Sequence, residues 1–243
     1  MSFKGILFDL GSTLIEFDNT EWDKLERACV QQGYEFLVKR GYKIPDWETF
    51  GKTFLTEFHQ AWQKAQESLI EVKLPEWVAN FLVRYGISSP DGFSLEFLKL
   101  YYEPISKQIT LIDGVKEVLE HFKKQNFKIG LISNSSFPTE FHIEELKNYE
   151  IINFFEETLF SYDFGLRKPH PDLFKNVLNK LKLKPQETVF IGDRLIEDVS
   201  GPQKVGMKAI LKYKKERDYS APVVPDYVVN NLSELPEVIR KFK

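Results

Sequence analysis

Short apolar runs that are continuous, not alternating, recur along this chain, and several close on a small polar or acidic residue. Gly5-Ile6-Leu7-Phe8 runs into Asp9, Phe127 to Ile132 into Ser133-Asn134, and Thr188-Val189-Phe190-Ile191 into Gly192-Asp193. A strand that is apolar on both sides is covered on both faces, which is the condition of a central strand in a parallel sheet. Between these runs the spacing becomes helical: Val115 to Lys124 after Asp113-Gly114, Phe141 to Lys147, and Pro171 to Leu181 with Pro171 suited to a first turn. Phe154 to Ser161 reads as another strand and Gln203 to Gly206 as the end of a short helix. Lys208 to Leu211 and Tyr227 to Val229 read as the last strands, and Leu235 to Phe242 as a closing helix. Strand and helix in alternation specify βα units, so the predicted class is α/β, a Rossmann-like, mainly parallel sheet flanked by helices.

The stretch from about residue 18 to about residue 108 has a different texture. Apolar residues recur at three- and four-residue spacing: Leu25, Ala28 and Cys29; Phe50, Phe54, Phe58 and Trp62; Trp77, Phe81 and Leu82. These are amphipathic helices, punctuated by Tyr42 to Asp46 and Ser88 to Gly92 as loops, with no strong strand signal. The predicted organisation is an α/β domain built from residues 1–16 and 109–243, interrupted by a helical domain over 17–108.

Bulk properties exclude more than they name. The net charge is −3 and the basic residues are spread along the chain, so nothing points to nucleic acid. One cysteine, Cys29, permits neither an intrachain disulfide nor a cysteine-built metal site, and it reads as a small buried hydrophobe. The apolar run near Met1 is too short for a signal peptide, and no stretch is long enough to span a bilayer. The expectation is a cytoplasmic protein with no membrane partner; oligomeric state is not legible. His59, His121 and His142 stand isolated on helical patterns without a second ligand at metal-site spacing. His170 reads as a surface or capping residue, and the run Lys212 to Arg217 as a solvated loop. Gly201 and Gly206 form no dinucleotide fingerprint, and no serine sits in a nucleophile-elbow pattern.

In an open parallel sheet, ligands bind beyond the carboxyl ends of the strands. Those ends carry Asp9, Ser133-Asn134 and Asp193, with Lys168 in the loop before a helix. A single strand-terminal Asp is most simply a helix cap. Several such residues, in order, exceed what capping explains.

The residues resemble the motifs of the haloacid dehalogenase (HAD)-like hydrolases. Phe8-Asp9-Leu10-Gly11-Ser12-Thr13-Leu14 is similar to the family's first motif, and Leu131-Ile132-Ser133-Asn134 to its second. Arg167-Lys168-Pro169-His170-Pro171-Asp172-Leu173-Phe174 resembles the third, and Ile191-Gly192-Asp193-Arg194-Leu195-Ile196-Glu197-Asp198 the fourth. The resemblance covers residues 1–16 and 109–243, and the helical insertion falls where the family places a cap.

What the resemblance implies is a phosphatase acting on a small phosphorylated molecule. Asp9 matches the nucleophile, which forms an aspartyl-phosphate. Asp9, Asp193 and Asp198, with the backbone carbonyl of Gly11, match the Mg²⁺ site; hard oxygen ligands suit that ion. Lys168 matches the group that offsets phosphate charge. Ser133 and Asn134 match phosphate-binding positions, and Thr13 the residue that orients the nucleophile loop.

One position departs from the pattern. The family's phosphatases carry a second Asp two residues after the nucleophile, where this chain has Gly11. That Asp is the general acid and base, help typically worth about 10²–10⁴ in rate. The departure leaves a phosphatase restricted to good leaving groups, an enzyme rescued by Glu16 or Asp18, a non-catalytic or regulatory binding protein, or a 2-haloacid dehalogenase. The last branch also lacks the second Asp but does not normally use the metal-type fourth motif seen here.

Overall fold

The computed structural model describes residues 3–17, 21–88, 93–215 and 217–242. Asp18 and residues 89–92 of the predicted loop lie outside the described residues. In chain order the elements begin with β1 (Gly5–Phe8) and β2 (Ile15–Phe17). Four helices follow: α1 (Trp22–Lys39), α2 (Trp47–Ser68), α3 (Leu74–Val83) and α4 (Phe93–Ser106). Then come β3 (Ile109–Leu111), α5 (Val115–Lys124), β4 (Lys128–Ser133), α6 (Thr139–Asn148), β5 (Glu157–Phe160) and α7 (Ser161–Phe164). The chain continues through α8 (Pro171–Leu181), β6 (Thr188–Gly192), a π-helical turn (Leu195–Ser200), α9 (Gly201–Lys204), β7 (Lys208–Lys212), β8 (Tyr227–Val229) and α10 (Leu235–Lys241).

The chain divides into two compact units. The first comprises residues 1–16, 111–135 and 139–243. Its sheet has six strands in the order β5-β4-β1-β6-β7-β8, and every pairing is parallel. β1 lies in the interior of the sheet, with Gly5 opposite Lys128 on one side and Thr188 on the other. Its continuous apolarity has this cause: both faces are covered, and Ile6, Leu7 and Phe8 have no exposed surface. Leu7, Ile132 and Phe190 pack with Leu173, Phe174, Val177, Leu178 and Leu181 of α8 in one apolar cluster. Local chemistry starts the helices where the sequence suggests. Pro171 opens α8 while the His170 side chain accepts from the Asp172 amide, the capping use expected of it. Gly114, at φ +83°, precedes α5.

The second unit comprises residues 17–110 and 136–138 and is built from α1 to α4. Asp46 caps α2 by accepting from the Thr49 amide at 3.1 Å. Phe54, fully buried on α2, sits at the centre of an aromatic core, against Phe50, Phe58, Trp77, Phe81, Phe97 and Tyr101. Cys29 is buried, and burial pushes its thiol up to about 12, so it is an inert apolar filler.

Two details differ from the sequence reading. β2 and β3 pair as a separate two-stranded sheet, and each is three residues long, too short to show a period. The short helix before Gly206 is preceded by a π-helical turn, which no residue pattern announces. No helix among the described residues is long and apolar enough to cross a membrane.

Phe54→Ala empties the middle of the aromatic core, and large-to-small changes of this kind cost about 3–5 kcal/mol. The expected result is a urea midpoint lowered for the helical unit, read by tryptophan fluorescence. An unshifted midpoint would remove Phe54 from the centre of that core.

Candidate active site

The carboxyl ends of β1, β4 and β6 deliver the side chains that the sequence singled out. Asp9 follows β1, Ser133 ends β4 with Asn134 after it, and Asp193 follows β6. Asp198 comes back toward Asp193 because the intervening residues form the π-helical turn. Its Oδ2 accepts from the Arg194 amide at 3.0 Å. Gly192 makes this approach feasible: a Cβ there would lie 2.4 Å from the Cβ of Asp198.

Asp9, Asp193 and Asp198 are all buried, and one carboxylate oxygen from each lies within 4.8 Å of the others. Lys168, 2% exposed, reaches into the same point. Its Nζ donates to Asp9 Oδ1 at 2.6 Å and to Asp198 Oδ1 at 2.7 Å. The ammonium also stands 5.2 Å from the centre of the Phe190 ring. Asn134 fixes the backbone of the lysine: its Oδ1 accepts from the Lys168 amide at 2.7 Å, and its Nδ2 donates to the Lys168 carbonyl at 3.1 Å. Thr13 Oγ1 donates to Asp9 Oδ2 at 3.2 Å. Gly11 lies in the turn after β1, joined to Ile15 by an isolated bridge. Ser133 is buried at its strand end.

Crowding like charges away from water shifts these groups. Burial, followed by the neighbouring Asp9 and Asp193 charges acting against the pull of Lys168, pushes Asp198 up to about 7. Burial and Asp9 raise Asp193, with Arg217 opposing. Burial favours the neutral amine of Lys168, but Asp198 and Asp9 outweigh it and hold the ammonium charged. The donor set fits a hard divalent cation. Carboxylate oxygens dominate it, and Asp193 Oδ1 is buried with no hydrogen-bond partner, an acceptor aimed at a ligand not made of protein.

Pattern reading overlooked two groups. His142 is not isolated. Its Nε2 lies 2.6 Å from Ser135 Oγ and its Nδ1 3.0 Å from Glu145 Oε2, and it stacks on Phe160. This chain ties the loop after β4 to α6. The run Lys212 to Arg217 is only partly a solvated loop. Lys212 is buried and donates to the Ser12 carbonyl at 3.0 Å, while Arg217 Nε donates to Asp193 Oδ2 at 2.5 Å. The position of Lys212 at the end of an apolar strand was the available signal. Glu16 accepts from Ser12 Oγ at 3.3 Å and from Lys214 Nζ at 2.7 Å.

Comparison with known proteins agrees with this architecture. Residues 6–212 match the haloacid dehalogenase-like hydrolases. The chain is 28% identical to the glyceraldehyde 3-phosphate phosphatase of Pyrococcus furiosus, over 98% of this chain and 93% of that protein. Its fold is similar to that of a 2-haloacid dehalogenase from Pseudomonas syringae pv. Tomato, with a TM-score of 0.72, 22% identity, and coverage of 99% of this chain and 100% of that one. A HAD phosphatase from Thermococcus onnurineus superposes with a TM-score of 0.67 at 20% identity, covering 98% of each chain. An α/β fold with its acidic residues gathered at the strand ends defines a class of hydrolases, and this chain belongs to the haloacid dehalogenase-like hydrolase family.

Lys168→Met removes the cation from between buried carboxylates. Breaking a buried pair costs about 3–5 kcal/mol, and in metal-free buffer at pH 8 that loss is expected in urea unfolding. Asp198 has a folded-state pKa raised above its unfolded value, so the native state takes up a proton as pH falls through 7. Protonation removes one of the repelling charges, so the deficit of the variant should shrink at pH 5. A deficit that grows on acidification contradicts this electrostatic account.

Proposed function

We propose that this protein is a Mg²⁺-dependent phosphatase that hydrolyses a small phosphorylated metabolite through an aspartyl-phosphate on Asp9. The observation that carries the reading is the convergence of Asp9, Asp193, Asp198 and Lys168 on one buried point. The glyceraldehyde 3-phosphate phosphatase among its relatives supports it. Asp9, Asp193 and Asp198 would hold the ion, which when bound neutralises phosphoryl charge and aligns it for attack.

The residues of the chain then divide the work. Asp9 keeps one oxygen in contact with Lys168 and the other with Thr13, so the carboxylate is fixed in orientation. A weak nucleophile needs such fixing, because proximity and alignment supply much of the rate. Lys168 offsets negative charge on nucleophile and phosphoryl group together. Ser133 offers its hydroxyl to a phosphoryl oxygen from the neighbouring strand end. Asn134 acts through Lys168, holding its backbone in place. Gly11 contributes a carbonyl and no acid. We assign the helical unit inserted after β2 as the cap of the family.

Purified protein should release phosphate from p-nitrophenyl phosphate only with Mg²⁺ present, and Asp9→Asn should abolish that release. Turnover indifferent to both removes the mechanism. Chloride release from a 2-haloacid without Mg²⁺ would establish the dehalogenase in its place. Gly11→Asp should raise hydrolysis of an alkyl phosphate by about 10² or more, the scale of general acid–base help; no gain in steady-state rate places the deficiency elsewhere.

A further inference from the structure

The basic run that begins at the last residue of β7 closes on the residue next to Gly11. Lys212 Nζ donates to the Ser12 carbonyl at 3.0 Å, Lys214 Nζ to Ser12 Oγ at 2.9 Å, and Arg217 Nη2 to the same Oγ at 3.4 Å. Ser12 itself is held at φ +60°, a conformation that costs a non-glycine residue energy and signals an over-determined turn. Two of the cations are matched by acids, Lys214 by Glu16 and Arg217 by Asp193. Lys212 is 8% exposed and makes no ion pair with a carboxylate among the described residues. Glu16 and Asp193 attract the Lys212 ammonium, but each is already paired, with Lys214 and Arg217, so three cations share two acids and an added anion would be favoured there. Cationic side chains therefore gather beside the position where a proton donor is missing.

We propose that Lys212, Lys214 and Arg217 form the leaving-group subsite, and that the substrate is a phosphoric anhydride, an acyl phosphate or a pyrophosphate, whose leaving group departs as an anion. The inference rests on the phosphatase reading and names its substrate class. In the first step an Asp9 oxygen attacks phosphorus, and the bond from phosphorus to the bridging oxygen breaks. The electron pair leaves on a carboxylate or phosphate oxygen. Carboxylic acids ionise near pH 4 and a phosphate monoester near pH 6, so neither leaving group needs a proton at neutral pH. An alkoxide does need one, and Gly11 supplies none. In the second step water attacks the aspartyl-phosphate, the bond from Asp9 to phosphorus breaks, and the proton of the water passes to solvent. Where a phosphatase of this family protonates its leaving group, this chain neutralises it with fixed positive charge.

The test compares kcat/KM, with Mg²⁺, for acetyl phosphate, inorganic pyrophosphate, glycerol 3-phosphate and p-nitrophenyl phosphate. At least one anhydride should exceed the alkyl ester by about 10² or more, and which one does so separates the acyl from the pyrophosphoryl class. Lys212→Met and Lys214→Gln should each lower the ratio of anhydride to aryl phosphate turnover by about tenfold, the scale of one charge-assisted hydrogen bond. Lys212→Arg should restore most of it. Melting curves of the variants show that they fold, and Lys214→Gln, at a partly exposed position, guards against a folding defect in Lys212→Met. If the aryl ester is hydrolysed while both anhydrides are no better than glycerol 3-phosphate, or the ratio is unmoved in both variants, this inference fails and the phosphatase reading stands. If no phosphate compound is hydrolysed, both fall.

Discussion

The ammonium of Lys168, buried between Asp9 and Asp198, is the contact on which the arrangement of the acidic strand ends depends. Three carboxylates within 4.8 Å of one another repel strongly in a region that water hardly reaches. A cation fixed among them makes that density of charge tolerable without a ligand. The fixing is done by ordinary means: Asn134 grips the backbone of the lysine through both the oxygen and the nitrogen of its side-chain amide, and the face of Phe190 lies beside the charge. The segments after β1 and β6 and the loop before α8 are thereby joined through one nitrogen atom.

The spacing of Asp193 and Asp198 shows how backbone geometry does part of this work. A regular α-helix starting at Asp193 would carry a residue five positions on around to a different direction. The π-helical turn over Leu195–Ser200 widens the coil, and the missing side chain of Gly192 lets Asp198 fold back over the strand end. Both are departures from regular structure at the place where the acids are concentrated, which is where such departures tend to accumulate.

Much of the α/β unit was legible because its strands are buried on both faces and its helices on one. Val115–Lys124 and Pro171–Leu181 begin and end where the apolar spacing and the Gly114 and Pro171 signals say they do. Asp9 and Asp193 stand out at strand ends and Lys168 in the loop before a helix, while Asp198 is placed with them only by the resemblance to the family's fourth motif. Other features were not legible. β2 and β3 are too short to carry a period. Lys212 reads as the start of a solvated run, since a lysine announces charge and says nothing of burial; only the apolar strand before it hints otherwise. The link from His142, itself braced by Glu145 on the same helix, to Ser135 joins a helix to a loop, and that partnership has no local signature.

The interior position of β1 has a consequence for synthesis. Both of its strand partners, β4 and β6, lie far downstream, beyond the whole helical insertion. A chain made from its N-terminus thus displays this fully buried strand well before its partners and pairs it late, since long-range parallel pairing is slow. Until residues 188–192 have emerged, β1 has an unsatisfied backbone edge, the kind of segment that chaperones shield and aggregates recruit. The helical insertion, whose unit lies almost wholly within residues 17–110, has its partners already made and can fold during that wait, so α1 to α4 can form long before Asp9 is set among its neighbours.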